Sequence, residues 1–144
     1  MYKKAITYTD FDGVEKTETF YFNLTKAEMI KMELRSGGMQ EMLQRITDAQ
    51  DSYKVAEVIE DIIARSYGEK SPDGKRFIKN QEIMDAFKAT EAYSELFMEL
   101  MTNATAASDF VNGIIPQEVR DAAQKELDRR NEEAGVVGEI APAT

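Results

Sequence analysis

The chain contains no cysteine. Disulfides, thiolate metal sites and cysteine nucleophiles are therefore excluded, and nothing points to an oxidising compartment. Histidine is missing too, which removes the commonest general base and the commonest transition-metal ligand. No run of about eighteen apolar residues exists to cross a membrane. The first residues, Met1-Tyr2-Lys3-Lys4-Ala5-Ile6, carry two lysines with no apolar run behind them, unlike a secretory leader. Without such a leader, the sequons Asn23-Leu24-Thr25 and Asn103-Ala104-Thr105 read as incidental. An enzyme built on this chain would have to work through carboxylates, Lys or Tyr alone. Neither catalytic residues, nor a cofactor, nor a bound metal is expected.

What is present is a domain-sized acidic chain. Its 144 residues suffice for one self-sufficient core. The 27 acidic residues exceed the 18 Lys and Arg, for a net charge of -9. Such a surface repels phosphate backbones, so no nucleic-acid partner is expected, and it favours solubility or a basic partner.

The densest apolar stretch runs from Phe87 to Pro116. Ala89, Ala92, Tyr93, Leu96, Phe97, Leu100, Met101 and Ala104 recur at helical spacing, and Phe110, Val111, Ile114 and Ile115 follow a polar break at Thr102-Asn103. This stretch predicts the core on which the rest packs. Residues 2–24 alternate as two strands around Asp12-Gly13, with Phe20, Phe22 and Leu24 on one side, which predicts a β-hairpin. A lone hairpin is marginal in water, so its Phe20/Phe22 face must meet the helices.

Thr25-Lys26-Ala27-Glu28 is a capping box that starts a helix, with Ala27, Ile30 and Leu34 as its buried stripe and Gly37-Gly38 as its end. A second helix is expected through Met39, Met42, Leu43 and Ile46. A third restarts at Asp51-Ser52 and runs through Val55, Ala56, Ile59, Ile62, Ile63 and Tyr67 to Gly68. Ser71-Pro72-Asp73-Gly74 is a turn. Phe77-Ile78 is then either a brief strand pairing with the hairpin or an anchored loop. Asn80 can cap a helix holding Ile83, Met84 and Phe87.

The fold expected is α+β, mostly α: an N-terminal β-hairpin packed on a bundle of about five or six helices. A compact domain over 1–115 holds the hairpin in 2–24 and helices within 26–115. Pro116 opens a charged helix over 116–134 with a narrow stripe of Val119, Ala122, Ala123 and Leu127, loosely docked or reaching to a partner. Residues 135–144 are expected from composition to be a flexible tail.

Candidate sites are few. Asp10-Phe11-Asp12-Gly13 echoes part of a calcium loop, but no register supplies the other ligands and the bidentate glutamate, so the turn reading is preferred. Gly37-Gly38 lacks the Lys-Ser/Thr of a phosphate loop. Lys75, Arg76 and Lys79 form a basic cluster that reads as a solvated turn before it reads as an anion site. Of eight methionines, Met39, Met42, Met84 and Met101 fall on apolar faces, whereas Met29, Met32 and Met98 lie off the strongest stripes. Methionine suits adaptable contact surfaces. Met29, Met32, Met98, Val119 and Leu127 are the candidate protein-binding residues, weighed against core or incidental placement.

The residue order also resembles a family. A strand pair runs into a capped helix at Phe20-Tyr21-Phe22-Asn23-Leu24-Thr25-Lys26-Ala27-Glu28. A Tyr-Gly turn follows within Ile62-Ile63-Ala64-Arg65-Ser66-Tyr67-Gly68-Glu69-Lys70, leading to Arg76-Phe77. Thr90-Glu91-Ala92-Tyr93-Ser94-Glu95-Leu96-Phe97 and a closing Phe110-Val111-Asn112-Gly113-Ile114-Ile115-Pro116 complete the pattern over about residues 5–116. In these features the chain resembles the tail assembly chaperones of long-tailed bacteriophages that infect Gram-positive bacteria. The resemblance implies a non-catalytic protein of the infected host's cytoplasm, absent from the mature virion. It implies that the protein binds and solubilises the tape measure protein during tail morphogenesis, with the tail tube protein as a further partner. It also implies a homo-oligomer, and the short product of a frameshifted pair. Two other classes stay open: a structural virion protein, such as a connector or tail-completion component, and an acidic DNA-mimic inhibitor. Mimicry is disfavoured by bases that interrupt the acids, as Lys125, Arg129 and Arg130 do among Glu126, Asp128, Glu132 and Glu133.

Overall fold

In a computed structural model of the chain, the described residues are 1–36, 44 and 52–119, with 121, 125, 128, 129, 131 and 132 beyond them. Strands β1 (Tyr2–Thr9) and β2 (Glu15–Phe22) pair antiparallel from Tyr2↔Phe22 to Thr9↔Glu15, forming the expected hairpin. Gly13 sits at φ 80° in its turn, a conformation only glycine adopts cheaply. The Asp10 carboxylate accepts from the Asp12 and Val14 amides, each at 2.9 Å, and pairs with Lys16 at 2.8 Å. Those contacts hold its carboxyl below its ordinary value, the Lys16 bond first. Asp10 is thus a turn residue.

Helix α1 (Lys26–Ser36) starts at the capping box: the Glu28 amide donates to Thr25 Oγ1 at 3.2 Å, and the Thr25 amide donates to Glu28 Oε1 at 3.0 Å. The Gly37-Gly38 end and the helix through Met39 to Ile46 lie outside the described residues. Helix α2 (Ser52–Ser66) buries Ile59, Ile62 and Ile63. It stops at Ser66 rather than Gly68. Tyr67–Lys70 is strand β3, which pairs with β2 through Tyr21↔Gly68 and Phe22↔Tyr67. Gly68 is therefore not a helix cap. A Cβ there would lie 2.8 Å from the Ile78 carbonyl oxygen and from Phe77 Cε2, so only glycine lets the strands close.

Phe77–Ile78 is strand β4, and it pairs with β3, not with the hairpin; the sheet order is β1-β2-β3-β4. The turn between β3 and β4 is held by Ser71, whose hydroxyl donates to Asp73 at 2.6 Å and accepts from the Arg76 amide at 3.0 Å. Gly74, at φ 73°, completes it.

Helices α3 (Gln81–Lys88), α4 (Glu91–Thr102) and α5 (Ala104–Ile114) follow. Each begins at a side-chain cap: Asn80 accepts from Ile83, Thr90 from Tyr93, and Asn103 from Ala106. The Phe87–Pro116 stripe is consequently cut twice. Ala92, Leu96 and Leu100 are buried, but Ala89 and Ala104 stand at the breaks and are exposed. Thr90 makes the first cut, because its hydroxyl also donates to the Phe87 carbonyl at 2.7 Å and turns the chain there.

The inner hairpin face lies on these helices as expected. Phe22 is fully buried, 5.0 Å from Phe110 and 6.0 Å from Phe87 between ring centroids, while Tyr67 stacks on Phe87 at 4.0 Å. Lys4 reaches Glu99 at 2.9 Å, tying β1 to α4.

Candidate functional site

The five predicted binding residues fare differently. On α1 two residues of the expected buried stripe, Ala27 and Ile30, lie outside, while the side chain of the third, Leu34, is not among those described. Ala27 is exposed and Ile30 is 61% exposed, whereas Met32 is 4% exposed and Met29 is half-buried against the core. Helical phase explains this placement. Leu24 is fixed when its amide donates to the Ile114 carbonyl at 2.9 Å, the capping box sets the next residues, and Lys79 then pulls Glu28 inward. Met32 follows Glu28 by one turn and goes inside with it. Met98 is 55% exposed on α4. Val119 is half-buried just after Pro116, and Leu127 lies outside the described residues.

The basic cluster is not a free patch either. Lys79 Nζ donates to both Glu28 carboxylate oxygens, at 2.8 and 2.7 Å, and to the Arg65 carbonyl at 2.8 Å. One ammonium thus joins β4's exit, α1 and the end of α2. Burial alone would raise the Glu28 carboxyl. The Lys79 and Thr25 hydrogen bonds outweigh it and hold the group below its ordinary value. Lys75 and Arg76 remain exposed on the turn. Among the described residues no cluster of acids forms a metal site.

A concavity of about 530 Å3 lies where α2, α4 and α5 meet. Val55 and Ile59 come from α2, Leu100, Met101 and Thr102 from α4, and Ala104, Ala107, Ser108, Val111 and Asn112 from α5. The floor is built by Ile59, Leu100 and Val111, each no more than 5% exposed. Above it α5 offers the small side chains of Ala104, Ala107 and Ser108 beside Asn112, so the helices touch at the floor and leave a gap at the rim. The cap at Asn103 creates this shape by turning the chain between α4 and α5. Among the described residues no titratable group lines the groove, which suits it to an apolar side-chain row more than to acid–base chemistry. Met98 stands one turn before Thr102 and Met101 and so flanks the rim. The sequence carried a signal for this groove in the Ala104-Ala107-Ser108 spacing, but periodicity counted Ala104 into the core stripe and passed over Ala107 and Ser108.

A shallower hollow of about 170 Å3 is lined by Leu24, Glu28, Lys31, Met32 and Arg65. The acids bordering α2's outer face are partly neutralised: Glu60 pairs with Lys88 at 3.0 Å and Asp61 with Arg65 at 2.8 Å. No described helix is long and apolar enough to cross a membrane.

Compared with known families, residues 1–142 match a family model described as phage tail assembly chaperone. No curated protein and no solved structure matches the chain.

Proposed function

We propose, on the premise that this chain belongs to the phage tail assembly chaperone family, that it binds and solubilises the tape measure protein while the tail is assembled. The family match over residues 1–142 carries this reading. In this role it works without catalysis, in the cytoplasm of the infected host, leaves before the virion matures, hands its client to the tail tube protein, and self-associates. It is the shorter of two products, the longer arising by frameshift.

The groove between α2, α4 and α5 supports the reading physically. A long amphipathic helical client needs an apolar slot for its side chains, and helix-in-groove recognition reads anchors at i, i+3, i+4 and i+7. Met101 on the wall and Met98 at the rim supply adaptable contacts. Met29 and the exposed Ile30 extend the apolar surface on α1, while Val119 and Leu127 assign a second contact to the charged helix over 116–134. Glu118, two residues after Pro116, pairs with Lys26 of α1, and the proposal takes the 116–134 segment as a helix loosely docked on a compact 1–115 body.

The test is co-expression with the tape measure protein, read by solubility and co-purification. A client that is insoluble alone and soluble with this chain supports the reading. Ala104→Glu, at an exposed rim position, should reduce capture without changing the melting temperature. A client that stays insoluble, together with this chain in purified virions, would establish the structural-protein class instead. A slippery heptamer before an overlapping frame in the coding DNA tests the two-product idea separately.

A further inference from the structure

Among the described residues the outer edge of β1 stands open, and we propose that it is the interface for a second copy of this chain, paired antiparallel through β1 itself. The sheet order places β1 at the end of the sheet. The direction of its outward groups follows from two hydrogen bonds. The Asp10 amide donates to the Val14 carbonyl, so Asp10 and, by alternation, Tyr8, Ile6, Lys4 and Tyr2 turn their backbone groups toward β2. The Asn23 amide donates to Ser66 on the β3 side, which gives the same parity from the opposite strand. Lys3, Ala5, Thr7 and Thr9 therefore present their N–H and C=O groups outward. No backbone bond among the described residues takes them up.

Among the described residues no strand, helix or loop backbone pairs with this edge, and its length and regularity leave it able to take a further strand. β1 is 8 residues long, unbulged, and free of proline. Its charge protection is limited to two lysines: Lys4 is drawn to Glu99, and only Lys3 of the two stands exposed on the outward-bonding set.

The occupant follows from the register. Faces are preserved across an antiparallel two-fold pair only if odd residues meet odd residues. Of the registers that obey this, the one centred on Ile6 sets Lys3 against Thr9 and Ala5 against Thr7 of the other copy. Every outward group of both strands is then satisfied, with none left over. The same register places Tyr2 opposite Asp10, which brings the basic start of one strand to the acidic Asp10/Asp12 turn of the other. It also brings Met1, 49% exposed, to Phe11, 78% exposed. Two exposed apolar side chains thus cover each other at both ends of the pair. The proposal deepens the self-association in the chaperone reading, but it rests on the sheet edge alone.

The experiment uses the full chain without any client, so its failure leaves client binding standing. Light scattering across a concentration series should show a dimer. Thr7→Pro removes an outward N–H that β2 does not use, and should raise the dissociation constant at least about tenfold. Lys3→Glu should weaken the dimer while leaving the fold intact, should the proline variant not fold. Because the natural chain has no cysteine, the register can be read directly. An equimolar mixture of Ala5→Cys and Thr7→Cys chains should form the mixed disulfide between the two introduced thiols, since directly opposed strand residues have about the required 5.5 Å between Cα atoms. Homodisulfides of either variant should be minor. A monomer at every concentration, a dimer indifferent to Thr7→Pro and Lys3→Glu, or cross-linking with no preference for the mixed pair would each overturn the proposal.

Discussion

Replacing Lys79 by Met should cost about 2 kcal/mol of stability at neutral pH, a large effect for a residue that sequence places on a solvated turn. The magnitude lies between two limits. Exposed ion pairs contribute about 0–1 kcal/mol, and removing one partner of a fully buried pair costs about 3–5 kcal/mol. The Lys79 side chain is 19% exposed and that of Glu28 36%, so the pair lies between them. Methionine keeps the stem's packing but abandons the Glu28 carboxylate and the Arg65 carbonyl together. For a chain of this size the change lowers the melting temperature by about 4–8 °C. Urea unfolding of Lys79→Met, Glu28→Gln and the double variant gives the coupling, which should be about 1 kcal/mol or more. The pH dependence has a definite sign. The folded Glu28 carboxyl lies below its ordinary 4.5, so its contribution is complete above that value and is lost as pH falls through the lower folded value. The penalty of Lys79→Met should shrink over the same window. A penalty under about 0.5 kcal/mol, or one unchanged in acid, would refute the assignment of Lys79 as the brace.

Three other outcomes are expected. Leu96→Ala, at a fully buried position in α4, should cost about 2–5 kcal/mol in urea unfolding; a cost under about 1 kcal/mol would mean α4 does not centre the core. Gly68→Ala should destabilise by about 1–3 kcal/mol, because its Cβ meets the Ile78 backbone at 2.8 Å, and hydrogen exchange should show faster opening of β3 and β4. Ile30→Ser and Met98→Ser, at 61% and 55% exposure, should leave stability within about 0.5 kcal/mol while lowering capture of the tape measure protein; a loss of stability would return both residues to the core.

The elements legible in the sequence are those whose signals are local. The hairpin announced itself by strict alternation and Asp12-Gly13, and the caps at Thr25, Asn80 and Asn103 by residue type before an apolar run. What escaped depends on contacts distant in sequence. Tyr67 and Gly68 continue the apolar spacing of α2, and only the open edge of β2 converts them to a strand. Lys79 meets Glu28 across 51 positions, and that meeting turns α1 so that Met32 goes in and Ile30 comes out. Thr90 has the residue type of a cap, but it sits inside an apolar period strong enough to hide it. The groove was hidden by the same averaging: periodicity records Ala104 and Ala107 as apolar and says nothing of the volume they fail to fill.

These long-range braces also separate the two demands that the family's role makes on one small surface. A chaperone for an apolar client must display apolar area without aggregating through it. In this chain the lysines at positions 4, 79 and 88 are engaged by Glu99, Glu28 and Glu60. Many of the remaining acids stay unneutralised and give the chain its charge of -9. Two such bodies repel one another at distance. The groove, by contrast, has no charge in its lining, so close contact there carries no desolvation penalty for a buried ion. Repulsion acts on encounter between copies, and apolar burial acts only once a fitting side-chain row has entered. The surface thus discriminates by geometry at short range what its charge refuses at long range, an order of events that the proposed binding of an apolar client would require.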